Sequence, residues 1–120
     1  MHLTMTGVAE AFSRHRFEDT YQYMKDDIRW IQVGETEILG KANVVSACTE
    51  SANYLASVRT TFADLKIVAG EDCVVIDSRA EYAERGDEST RVASCDIYDF
   101  VEGSLVAITS YAVELEPPSG

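Results

Sequence analysis

The sequence predicts an α+β domain: a curved antiparallel sheet wrapped around one long core helix, with two short helices at the N-terminal end. Three observations carry this. Apolar residues recur at helical spacing near the start of the chain and again after Gly40, and from Val58 onward the pattern changes to four strand-like stretches. Short turn sequences, each with a glycine, separate those stretches. Helices first and strands afterwards is the α+β order, and a long sheet curled around one helix buries the residues of its concave face and leaves a pocket.

Met5, Val8, Ala9 and Phe12 place a first short helix over residues 5–12, and Phe17, Tyr21 and Met24 a second over 17–24. Residues 27–33, with Ile28, Trp30, Ile31 and Val33 ahead of Gly34, read as a first strand. After Gly40, the residues Val44, Val45, Cys48, Ala52 and Leu55 fall on one face of a helix of about four turns, the main core helix. Strands follow at 58–68, 73–83, 90–100 and 104–115, separated by turns at 69–72, 85–88 and 101–103. Three consecutive hairpins make an antiparallel meander. The whole of 1–120 reads as one domain, with 116–120 polar, broken by Pro117 and Pro118, and expected to fray.

Composition narrows the function. With 46% hydrophobic residues in 120, one core can form without crosslinks. The 21 acidic against 10 basic side chains give a net charge of -11, which repels phosphate backbones and anionic headgroups. Nucleic acid and membrane surfaces are therefore disfavoured as partners, and cationic or neutral ligands are favoured over anionic ones. No stretch reaches the ~18 apolar residues of a membrane span, and the opening MHLTMTG has no basic run before an apolar one, so a cytoplasmic protein is expected. Cys48, Cys73 and Cys95 form no CxxC pair and read as buried thiols in a reducing compartment.

If the strands meeting near Gly86 and Asp87 are in register, Ser78 lies opposite Asp96, Ile76 opposite Tyr98 and Tyr82 opposite Val92. One face then carries Val74, Ile76, Ser78, Ala80 and Tyr82 with Val92, Ser94, Asp96, Tyr98 and Phe100. The other carries Asp77, Arg79 and Glu81 with Ala93, Cys95 and Ile97. The first face is the more apolar and is placed inside, which makes Asp96 an inward carboxylate. A one-residue bulge would reverse the assignment. Burial among apolar and aromatic residues favours the neutral acid, so Asp96 becomes a candidate proton donor.

Several local patterns together resemble the SnoaL-like branch of the nuclear transport factor 2-like superfamily. They are His15-Arg16-Phe17-Glu18 between the opening helices, Asp26-Asp27-Ile28-Arg29-Trp30 entering the first strand, and Gly40-Lys41 opening the core helix. Later come Cys95-Asp96-Ile97-Tyr98-Asp99-Phe100, then Gly103, then Ile108-Thr109-Ser110-Tyr111. The resemblance implies an α+β cone closed by the helices, with ligands held in the cone and homodimers paired through the sheet. It does not fix an activity, because related domains isomerise, cyclise, dehydrate, hydrolyse, or only bind and scaffold.

Asp96 resembles the carboxylic acid that ketosteroid isomerase, a member of the superfamily, keeps neutral for oxyanion binding. Gln32, however, stands where the isomerases keep their carboxylate base, and Val8 where they use a tyrosine. An amide cannot take a proton from carbon, so straightforward steroid isomerase chemistry is not expected. In the cyclase-like members an acid in the cone serves proton transfer, a role that falls to Asp96. Gln32, Ser78, Tyr82 and Tyr98 are candidate polar ligand contacts, and Trp30 a flat wall for a ring. Trp30, Tyr82 and Tyr98 also fit plain core packing. Asp96 also fits a structural carboxylate bonded to Ser78, Ser94 or a helix-end amide, or paired with Arg79.

His2 and His15 are the only histidines, which argues against a histidine metal site, and neither an EF-hand loop nor a phosphate-binding glycine loop is present. No metal or other cofactor is expected. Three functions stay open: a small-molecule binding domain, an acid-base isomerase or polyketide-cyclase-like enzyme using Asp96, and a dimeric scaffold or regulatory partner.

Overall fold

A computed structural model describes residues 3–84 and 89–115. The turn expected at 85–88, the tail at 116–120 and His2 lie outside the described residues. Helix α1 (Met5–Ser13) begins where the Thr4 hydroxyl accepts the Gly7 N–H at 3.0 Å, and its spacing buries Val8, Ala9 and Phe12. A 3-10 helix (Phe17–Tyr23) follows where the spacing predicts an α-helix. Seven residues are too few to hold an α-helix alone, and Thr20 turns its hydroxyl back onto the Phe17 carbonyl at 2.6 Å.

The remaining elements are β1 (Met24–Gln32), β2 (Thr36–Leu39), α2 (Lys41–Leu55), β3 (Arg59–Ala69), β4 (Cys73–Ala83), β5 (Ser89–Val101) and β6 (Ser104–Leu115). They form one curved, unclosed sheet in the order β2-β1-β6-β5-β4-β3. Strands β3 to β6 are the expected meander, and β1 lies parallel to β6. Strand β2 was not anticipated. Four residues show too little alternation to be told from a connection, and only pairing with β1, from Arg29↔Leu39 to Gln32↔Thr36, defines it. Among the described residues no helix is long and apolar enough to cross a membrane.

The register around Asp96 differs from expectation by two residues: Ile76, not Ser78, pairs with Asp96, while Ser78 pairs with Ser94 and Tyr82 with Thr90. A shift of two leaves every side chain on its predicted face. No bulge interrupts β4 and β5 between Cys73↔Asp99 and Ala83↔Ser89, so Asp96 does face inward. Bulges do occur in β3 between Phe62 and Asp64 and where β5 and β6 pair at Asp99 and Phe100, and they help bend the sheet.

The concave face is divided along its length. Val74 and Ile76 on β4, Tyr98 and Phe100 on β5, Leu105 and Ile108 on β6, and Met24 and Ile28 on β1 pack with Phe12, Val44 and Cys48 into one core. Beyond the row Ile76–Asp96–Ser110–Gln32 the inward residues become small: Ser78 and Ala80, Ser94 and Val92, Ala112. Small side chains cannot fill the space under a curved sheet, and a hollow opens there.

Helix α2 is less of a core helix than its spacing suggests. Val44 and Cys48 are buried, Val45 and Leu55 are half-buried, and Ala52 is exposed. Its second half stands over the hollow, with Ala47, Ser51, Tyr54 and Leu55 on the wall. Of the cysteines, Cys48 alone is buried, where burial pushes its thiol up to about 12; Cys73 and Cys95 are half-buried on the outer face.

Candidate functional site

The hollow measures about 1200 Å³. Its inner end is made by Phe12 and Ser13 of α1, Trp30 of β1 and Asp96 of β5, and its sides by Ser78, Ala80 and Tyr82 of β4 and by Ser110 of β6. Trp30 meets Phe12 edge-on, ring centroids 5.1 Å apart, and its indole N–H donates to the Ser110 hydroxyl at 3.0 Å. Its ring is thereby fixed as a wall.

Asp96 sits at the border between the packed core and the hollow. Its Oδ2 accepts from the Ser13 hydroxyl at 3.2 Å, and the same Ser13 oxygen lies 2.6 Å from the hydroxyl of Tyr98. Ser13 has one proton to give. Donating it to Asp96, it accepts from Tyr98, so the hydroxyls run in one direction, Tyr98 to Ser13 to Asp96. Burial raises the Asp96 pKa, and the hydroxyls of Ser110, Ser13 and Tyr98 around it pull it down without cancelling the rise. Tyr98 is pushed well above its ordinary value by burial and by the neighbouring Asp96 charge. The arrangement is a carboxylic acid whose pKa is raised by burial at the inner end of a hollow of mixed polar and apolar lining, where it can hydrogen-bond to an acceptor.

The six residues picked from the sequence divide into two groups. Asp96, Trp30, Gln32, Ser78 and Tyr82 all line the hollow, Trp30 and Ser78 being buried and the others partly so. Tyr98 is wholly buried behind Asp96 in the core and acts on the site through Ser13 and through its hydroxyl beside Asp96. Arg79, weighed as a partner of Asp96, instead binds Asp77 at 2.6 Å on the outer face. The carboxylate's partners come from α1 and β6, not from Ser78 or Ser94.

Ser13, Ser110 and His15 were missed. Ser13 stands four residues after Ala9, on the helix face that carries the core, and a polar residue there is a legible signal of a buried contact. His15 follows α1 and sets its ring among Phe17, Phe62 and Tyr82. Among the described residues no group of three His, Cys, Asp or Glu side chains could hold a metal ion.

A curved open sheet closed at one end by helices, with a hollow inside, is the α+β cone of the nuclear transport factor 2-like class. The chain belongs to the SnoaL-like domain family, whose model matches residues 6–108. No curated protein matches the sequence. Among solved structures, a nuclear transport factor 2-like protein of unknown function from Cytophaga hutchinsonii is 27% identical, with a TM-score of 0.78 over 88% of this chain and 93% of that one. An LEH-like epoxide hydrolase of M. tuberculosis is 17% identical, with a TM-score of 0.67 over 90% and 81%. A Jannaschia protein provisionally named a SnoaL-like polyketide cyclase is 13% identical, with a TM-score of 0.67 over 88% and 84%. The last two likenesses are of fold.

Proposed function

We propose that the protein takes a small, mostly apolar, uncharged molecule into the cone, where the Asp96 carboxyl meets a polar group of that molecule. The observation that carries this is a recessed acid on the wall of a space of about 1200 Å³ whose other surfaces include Phe12, Trp30, Ala80 and Tyr82. Pockets of this size and lining suit organic ligands with few polar atoms, and the net charge of -11 works against anions. Mass spectrometry of the protein purified under native conditions tests it, together with a melting-temperature screen of neutral metabolites. Retention or stabilisation by one chemical class is expected; a protein that retains nothing and responds to nothing would sink the reading.

Proton-transfer chemistry is the second reading, an isomerase or cyclase in which Asp96 is the acid. It is supported by the direction of the Asp96 shift, since burial that raises a carboxyl pKa moves it toward general-acid work. Fold relatives named for epoxide hydrolysis and polyketide cyclisation point to the same kind of chemistry. Hydrogen bonding from Asp96 to a carbonyl oxygen would draw electrons toward that oxygen and make its carbon more electrophilic. With a substrate in hand, Asp96→Asn should bind it and fail to turn it over.

A homodimer through the outer face of the sheet accompanies either reading. Ile31, Thr109, Ile97, Val75 and Val68 are register partners in sequence across five strands, a nearly unbroken apolar row. Tyr111 and Val113 beside it are 46% and 61% exposed, and the nearby charges Asp77 and Arg79 neutralise each other. This supports a second copy of the chain as the occupant, because a two-fold axis would set one apolar row against its own copy. The same surface carries the further reading of a scaffold or regulatory partner.

A further inference from the structure

Helix α1 ends in a turn that ordinarily belongs to glycine. After Ser13 and the capping Arg14, His15 adopts φ 67°, its N–H bonding back to the Phe12 carbonyl at 3.0 Å and the Arg16 N–H to the Ala11 carbonyl at 2.8 Å. These two bonds satisfy the last carbonyls of the helix, and the residue between them must be left-handed, which strains any side chain that has a β-carbon. A strained position held by a histidine rather than glycine invites the question of what the ring does.

The ring lies on the wall of the hollow. Its centroid is 5.2 Å from that of Phe62, 5.7 Å from Phe17 and 6.0 Å from Tyr82, nearly parallel to the last. Three separate elements thus hold it in place. Among the described residues neither ring nitrogen hydrogen-bonds to protein and neither is fully buried; the residue lines this hollow and also a smaller cleft between the 3-10 helix and α2. Burial lowers the His15 pKa, so at neutral pH the imidazole is uncharged, with one nitrogen that donates and one that accepts. Accessible polar atoms without a protein partner are available to a guest.

We propose that His15 is a ligand-contacting residue that sets specificity: the bound molecule carries a hydroxyl, separate from the group that meets Asp96, and this hydroxyl hydrogen-bonds to the His15 imidazole. A hydroxyl both gives and accepts, so it serves either tautomer, and the surrounding rings would strip water from a charged group at a cost. The proposal rests on the cone being a ligand site. It narrows the ligand to a flat apolar body with an acceptor such as a carbonyl at one place and a hydroxyl at another.

Fluorene, fluorenone and the ring-hydroxylated fluorenones are suitable probes, titrated into the full chain with the imidazole nitrogens followed by NMR. At least one hydroxyfluorenone should bind about tenfold more tightly than fluorenone, the worth of one net hydrogen bond, and should shift the His15 nitrogen resonances. His15→Phe keeps a ring and His15→Gly relieves the left-handed turn; in both, the ratio of hydroxyfluorenone to fluorenone affinity should fall to about one, whatever becomes of fluorenone binding itself. A gain that survives in both variants, or no gain from any hydroxyl position, overturns the role of His15 and leaves the cone as a ligand site. If no probe binds at all, that broader reading falls with it.

Discussion

Ser13 Oγ and the Tyr98 hydroxyl, eighty-five residues apart in the chain, lie 2.6 Å from each other in the core. Through this contact the end of the first helix is tied to the middle of the sheet, and the Ser13 proton is left for Asp96.

Ser13→Ala should therefore cost more than a lost surface hydroxyl. It takes the closest partner from the buried Tyr98 hydroxyl, a loss worth about 1–3 kcal/mol, and urea unfolding would measure it. Tyr98→Phe combined with Ser13→Ala should cost less than the two single changes added together, because the second removes a group the first has already orphaned. Strict additivity would show that the two hydroxyls do not depend on each other.

The buried acid makes a prediction about pH. Because the folded pKa of Asp96 is raised by burial, its native state holds the proton more firmly than the unfolded chain does. That contribution is complete below the unfolded pKa and is lost as pH rises through the folded value. Asp96→Asn cannot titrate, so it should gain stability relative to the natural protein as pH goes from acid to neutral. Chemical denaturation of both proteins across that range is the check; a stability difference that does not move in the variant's favour with rising pH would falsify the raised pKa.

Filling the hollow should separate stability from binding. Ala80→Leu places a larger apolar side chain from β4 into the open space, not into a packed core. Stability should change by less than about 1 kcal/mol, while binding of a neutral ligand that contacts β4 is weakened. A loss of several kcal/mol would mean that the space around Ala80 is already occupied.

On the outer face, Ile97→Lys sets a charge in the middle of the apolar row. Sedimentation should show a dimer for the natural chain and a monomer for the variant, with melting of the monomeric fold little altered. A natural chain that is monomeric at every accessible concentration removes the dimer.

Much of this architecture could be read from residues alone. The strands 73–83 and 104–115 emerge with their observed limits, because alternation over eleven or twelve residues between glycine-containing turns has no competing reading. The inward direction of Asp96 was legible for a similar reason. An error of two residues in the hairpin register moves its neighbour from Ser78 to Ile76 without turning the side chain around.

Side-chain periodicity thus determined the α+β order, the meander and the face of each strand, because these depend on spacing between residues close in the chain. What only the tertiary structure decided is which distant groups meet: Ser13 with Asp96 and Tyr98, β1 beside β6, Tyr98 in the core and His15 on the cavity wall. Such meetings follow from how a bent sheet and a helix end come together. A hydroxyl or an imidazole carries no mark in its own neighbourhood of the partner that folding will bring to it.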